Sequence, residues 1–248
     1  MKYLITFLLA YTSLSAVKAQ DYLDVAFIRN ANVLYSSRIE TNANGDTVLV
    51  SQLKTKNKSQ LEFIKVNKGT PYFKNKWFTG EIPLQNGKSI KGNIAFDLVN
   101  NVVHFTPLHL DKTTEIHPKM IVLDDHVLRK ENENYTNAMN YYYETVYDGK
   151  SVVLSRPFCK YRPKSYAQKT GYELKGDGME GFFEKSEDLF LASGNKLILI
   201  RSNAKFYDIF DGYKEAIQDY VCENKLDIRS KPDILKAIRY YDSINIEQ

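Results

Sequence analysis

Four histidines, His104, His109, His117 and His126, crowd into one stretch with Asp111, Glu115, Asp124 and Asp125. Imidazole and carboxylate are the ligand types of zinc and related metals, and a catalytic site needs about three of them plus an open coordination position. Such a set would make the chain a metal-dependent enzyme or an envelope hydrolase with its site around His104–His126. The spacing points the other way. His104 and His109 have opposite parity on a strand, and neither a His-x-x-x-His pair on a helix nor a His-x-His pair on a strand is present. The four are weak metal candidates, better read as turn and surface residues of a polar hairpin region, and the sequence calls for no cofactor.

Cys159 and Cys222 are the two cysteines. In an oxidising compartment they could form one bridge joining a strand to the first of the C-terminal helices, with two unpaired thiols as the alternative. The sequence places no histidine beside either, so a catalytic thiol lacks its base. The tyrosines are a third kind of candidate. Tyr141, Tyr142 and Tyr143, with Tyr135 and Tyr147 nearby, could stack on a sugar or anchor a protein partner. Strand alternation would instead bury about half of them. No Gly-x-Ser-x-Gly elbow is present, and Gly176-Asp-Gly-Met-Glu180 lacks the Asp-x-Asp-x-Asp-Gly series of a calcium loop.

These residues need a scaffold, and the N-terminus says where it works. Lys2, the apolar run of residues 3–17 and Val17-Lys18-Ala19 before Gln20 read as a secretory signal peptide, residues 1–19. The run is shorter than the roughly twenty residues of a membrane span, so the expectation is cleavage and a periplasmic or secreted protein without a transmembrane segment. The formal charge is only +4, and loss of Lys2 and Lys18 removes two of those charges. Nucleic-acid binding by counterion release needs a clustered basic excess. The basic-aromatic stretch of residues 160–169 does not supply one, and no nucleic-acid partner is implied.

The patterning over residues 20–205 is mostly β. Short β-rich runs at 46–53, 80–85, 88–98, 101–108 and 119–128 are separated by Asn44-Gly45, Asn86-Gly87 and Asn100-Asn101, and further runs follow at 141–148, 151–158, 166–174, 181–191 and 196–202. Ile90, Ile94 and Phe96 share one parity and Ser89, Lys91, Asn93 and Ala95 the other, as in a strand with one wet face. Residues 132–140 are polar and aperiodic, a loop or linker. After Lys205 the apolar residues Phe210, Tyr213, Ile217, Tyr220 and Val221 recur at helical steps, and Ser230-Lys-Pro-Asp233 reads as the start of a second helix, with Ser230 as cap. The expected class is α+β: an antiparallel meander, as a sheet or incomplete barrel, then a helical hairpin over residues 206–248 that packs on the body.

Gly69-Thr-Pro-Tyr-Phe, Trp77-Phe-Thr-Gly-Glu-Ile-Pro-Leu-Gln-Asn-Gly87, the Tyr147–Gly149 hairpin, Tyr220-Val-Cys-Glu-Asn-Lys-Leu226 and Ile238-Arg-Tyr-Tyr241 together make the chain similar to a group of exported, functionally uncharacterised proteins of Gram-negative bacteria. The similarity spans roughly residues 65–245. It implies export and the order of β-body then helices, and it brings no active-site residues; Cys159 and Cys222 lie outside its pattern. The expected function is an exported, non-catalytic module that binds a protein, a glycan or another envelope component.

Overall fold

The computed structural model describes residues 33–55, 62–84, 86–108, 112–164 and 179–245. The signal segment, His109 and the strand expected at 166–174 lie outside them. The described residues form thirteen strands: β1 (Val33–Thr41), β2 (Thr47–Thr55), β3 (Glu62–Lys68), β4 (Phe78–Pro83), β5 (Ser89–Asp97), β6 (Val102–Pro107), β7 (Thr114–Ile116), β8 (Met120–Leu123), β9 (His126–Lys130), β10 (Tyr142–Asp148), β11 (Val152–Pro163), β12 (Gly181–Ser193) and β13 (Lys196–Leu199). Two helices follow, α1 (Lys214–Glu223) and α2 (Lys231–Ile244), after a 3-10 segment at Ala204–Ile209. The fold is α+β, as the patterning predicts.

The strands make one mixed sheet that does not close, in the order β1-β2-β3-β12-β11-β10-β9-β8-β4-β5-β6-β7, with β13 also on β12. A simple meander would keep chain order. Here β8 to β12 insert between β3 and β4, and β12 runs parallel to β3 at Gly181↔Asn67 and Phe182↔Lys68. The hairpin turns fall where the turn residues put them: Gly45, Gly87, Asn101 and Gly194 all have positive φ, the region that Gly and Asn enter at least cost.

The segment between β3 and β4 lies against β5. Tyr72 bridges Asp97, and the Leu98 N–H donates to the Pro71 carbonyl at 2.9 Å. One face of the curled sheet therefore closes on Phe73, Phe78, Ile94, Phe96, Ile121, Leu128 and Tyr142. The opposite face of β5 is also covered: Ala95 is fully buried with Leu49 and Tyr72. The single wet face expected for Ser89–Phe96 is thus confined to the hairpin tip, where Ile90 is exposed. β5 is dry on both sides because the segment crossing from β3 lies over it, a tertiary fact its own alternation does not carry. Residues 132–140 form a loop pinned to β13, with Asn137 donating to the Leu197 carbonyl at 2.8 Å and accepting from the Leu197 N–H at 2.7 Å.

The helices bury Phe206, Phe210, Ile217, Val221, Ile234, Ala237 and Ile238 against Val153, Leu189 and Leu191 of the sheet. α1 ends in a pair of bonds, Lys225 N–H to Cys222 O at 3.2 Å and Leu226 N–H to Val221 O at 3.0 Å, with Lys225 in the left-handed region. Tyr220 and Tyr240 stack face to face, 3.9 Å between centroids, and join the two helices. Ser230 does not cap α2 through its side chain, contrary to expectation. Asp233 in its first turn instead accepts from the Asp227 N–H at 3.1 Å and so ties the start of α2 to the preceding turn.

Candidate ligand cleft

The chemistry-bearing residues named from sequence do not converge. His104, on β6, lies 3.8 Å from Asp97 and edge-on to Tyr72. His126, on β9, holds Glu144 through Nδ1 at 2.6 Å and packs edge-on to Phe73. His117 is exposed between β7 and β8. Among the described residues no group of three or more His, Cys, Asp or Glu could hold a metal ion. Tyr142 and Tyr143 are buried at 1% and 2% exposure, which removes both from any binding surface. The Tyr142 hydroxyl donates to the Pro118 carbonyl at 2.6 Å, and burial pushes its pKa up. Tyr141 is half-buried beneath the Arg156 guanidinium. Neighbouring residues of one strand point to opposite faces, and here both faces are covered.

The two thiols are free, so the bridge considered from sequence is not formed. Cys159 sits in the apolar cluster inside the sheet, and Cys222 is on the exposed side of α1. Burial pushes the Cys159 thiol up despite the neighbouring Lys185, which makes it a packed hydrophobe with little thiolate character.

What the fold does assemble is a cleft. A cavity of about 440 Å³ opens where the β1–β2 turn, the end of β3 and the start of β12 meet, with Gly45, Asp46, Lys68, Asn75, Lys164 and Phe182 on its wall. That volume is in the range of small-ligand sites. Phe182 is 42% exposed, a large apolar ring offered to solvent beside charged neighbours. Phe183, also on the wall, packs in one cluster with Trp77. Lys68 pairs with Asp46 at 2.9 Å, and that hydrogen bond holds the Asp46 carboxyl below its usual range.

The floor is the turn after β3. Gly69 has φ +72, and a Cβ there would come 3.3 Å from the Phe183 carbonyl, so this close approach favours glycine. Lys74 and Asn75 are consecutive non-glycine residues at positive φ, a strain that persists only where surrounding contacts fix it. Those contacts are visible. The Asn75 Oδ1 accepts from the Thr70 N–H and hydroxyl, both at 3.1 Å, and from the Lys185 ammonium, which also donates to the Thr70 carbonyl. Lys185 stands opposite Cys159 in the β11–β12 register, and burial lowers its pKa.

Sequence reading missed Asn75, Thr70 and Lys185. Lys185 lies in Glu-Lys-Ser-Glu-Asp, a run that reads as solvated charge. The one available signal was Gly69-Thr-Pro, whose glycine and proline mark a constrained turn. No family model, curated relative or solved structure matches the chain. No helix among the described residues is long and apolar enough to cross a membrane.

Proposed function

We propose that the protein is an exported, non-catalytic binding module of the cell envelope and that the cleft beside Phe182 holds its ligand. The supporting observation is the cleft itself. It is concave, has a small-molecule volume, and combines an exposed aromatic ring with lysines and a side-chain amide on a turn fixed by three hydrogen bonds. Rigid polar groups around an apolar wall are what recognition needs, since they cost little ordering on binding. Export rests on residues 1–19 and on the resemblance to exported proteins, and an envelope ligand, a peptide or glycan fragment, follows from that location.

Trp77 is the single tryptophan and packs against the same buried cluster as Phe183 of the cleft wall, so its emission is a probe of the site. Titration of the mature protein with pooled envelope peptides and glycan fragments should give a saturable change that Phe182→Ala removes. A flat titration, or a signal untouched by Phe182→Ala, would overturn the reading. Mass spectrometry of the exported protein should find Gln20 at the N-terminus; a retained leader in the membrane pellet would refute export by cleavage.

A further inference from the structure

The cleft reading leaves the ligand's chemical class open, and the charges behind the cleft wall bear on it. Lys185 is partly buried, and among the described residues its ammonium donates to two neutral oxygens, the Thr70 carbonyl and the Asn75 side chain. No ion pair to it is formed among the described residues, and it stands opposite the Cys159 thiol in the β11–β12 register. A buried cation without a counter-charge is costly and is ordinarily paired. Among the described residues Arg156 is paired in this way, whereas Asp242 is met by neutral groups. Asp242 takes three donors, and Arg156 pairs with Asp188 between two aromatic rings. Lys185 resembles Asp242 in having neutral partners, and it stands one hydrogen bond behind the cleft, because Asn75 is shared by both.

Asn75 turns that position into a recognition group. Its oxygen is saturated by Lys185 and Thr70, which fixes the amide and leaves its NH2 as the group it can offer to the cavity. Hydrogen bonding of the oxygen to an ammonium polarises the amide and strengthens it as a donor. The wall adds Lys68, which is paired with Asp46, and Lys164. The apolar part of the wall is Met179, Phe182 and Phe183.

Resting on the cleft as the ligand site, we infer that its ligand is a small carboxylate carried on an apolar body, the carboxylate taken by the Asn75 amide in the field of Lys185 and the body laid on Phe182. A carboxylate here would supply the counter-charge that Lys185 lacks. Two sources share this chemistry, the C-terminus of a peptide ending in an apolar residue and a lipid-derived acid.

Calorimetry on the mature protein with N-acetylphenylalanine, with its neutral amide and with decanoate separates these. The acid should bind roughly ten- to hundredfold tighter than the amide, the worth of a hydrogen bond to a charged group. Asn75→Asp is the informative variant: aspartate tolerates the left-handed backbone, still accepts from Thr70, and gives Lys185 an internal counter-charge. It should melt no lower than the parent and lose the preference for the acid. Decanoate binding with the same dependence on Asn75 assigns a lipid-derived source, and binding of N-acetylphenylalanine alone assigns a peptide C-terminus. Equal binding of acid and amide, or an acid preference that survives Asn75→Asp, overturns the inference and leaves the cleft reading standing. No binding of any probe in the millimolar range overturns both.

Discussion

The β11–β12 hairpin supports two regions that surround a charge with neutral partners, one completely and one incompletely. At one end, Val153, Leu189 and Leu191 carry the helices, and the tip of the β10–β11 hairpin is riveted to α2 through Asp242. That carboxylate accepts from the Tyr147 hydroxyl at 2.8 Å, the Ser151 N–H at 3.0 Å and the Ser151 hydroxyl. Gly149 is required between them, because a Cβ would fall on the Tyr147 ring and 2.7 Å from Asp242 Oδ2. Towards the other end the partly buried Lys185 ammonium has, among the described residues, two neutral acceptors for its three N–H groups. A satisfied interior charge holds elements together, whereas an unsatisfied one is available to a ligand.

The helix side should therefore be the more fragile. Ile238→Ala empties a fully buried position and should cost about 2–5 kcal/mol in urea unfolding. A loss under roughly 0.5 kcal/mol, the scale of surface changes, would make the helices a docking element and undo the comparison. Asp242→Ala comes next. It strands the donors of Tyr147 and Ser151, a loss of about 1–3 kcal/mol, and a neutral result would show that the rivet contributes nothing.

The helix region also shows what was legible in the sequence. Helix periodicity placed Ile217 and Val221 in the core, and both are buried on α1, because a single face of a helix writes its burial into a local period. Gly45, Gly87, Asn101 and Gly194 fixed the β1–β2, β4–β5, β5–β6 and β12–β13 hairpins for the same local reason. The insertion of β8 to β12 between β3 and β4 was not legible, since strand order is set by pairings far apart in the chain. Nor was β3, whose sequence Glu-Phe-Ile-Lys-Val-Asn-Lys is too charged to stand out among its neighbours. The cleft was lost with it. Asn75 and Lys185 meet only because β3 delivers its following turn to β12, and the histidine cluster that did stand out was scattered onto separate partners.

Lys185→Met sharpens the contrast from the other side. It removes a cation and leaves Asn75 Oδ1 still bonded to Thr70, so stability at neutral pH should stay within about 1 kcal/mol of the parent or rise. Burial lowers the folded pKa of Lys185 from 10.5; the folded state thus holds the proton less tightly than the unfolded chain. The cost of the charge is full at neutral pH and is relieved as pH rises through the folded pKa towards 10.5. Any advantage of Lys185→Met should shrink over that interval in melts run at rising pH. A loss comparable to Asp242→Ala would mean that Lys185 is as structural as its counterpart.

The smallest effect tests whether satisfied charges behave alike outside the helix region. Asp97 is 4% exposed at the end of β5. Burial alone would raise its pKa, but the neighbouring His104, the N–H groups of Val99 and Asn100 and the Asn100 side chain outweigh burial and hold it below 3.8. A carboxyl depressed in the folded state contributes stability that is fully present above its unfolded value and is lost as pH falls through the folded one. Asp97→Asn keeps an acceptor for the turn but not the charge, so the variant should be less stable by about 1 kcal/mol at neutral pH. The gap between parent and variant should hold down to about pH 4 and close below it. A gap that stays constant through that window would show that the turn needs an oxygen and not a charge. Asp97 would then fall outside the rule that Asp242 and Lys185 define.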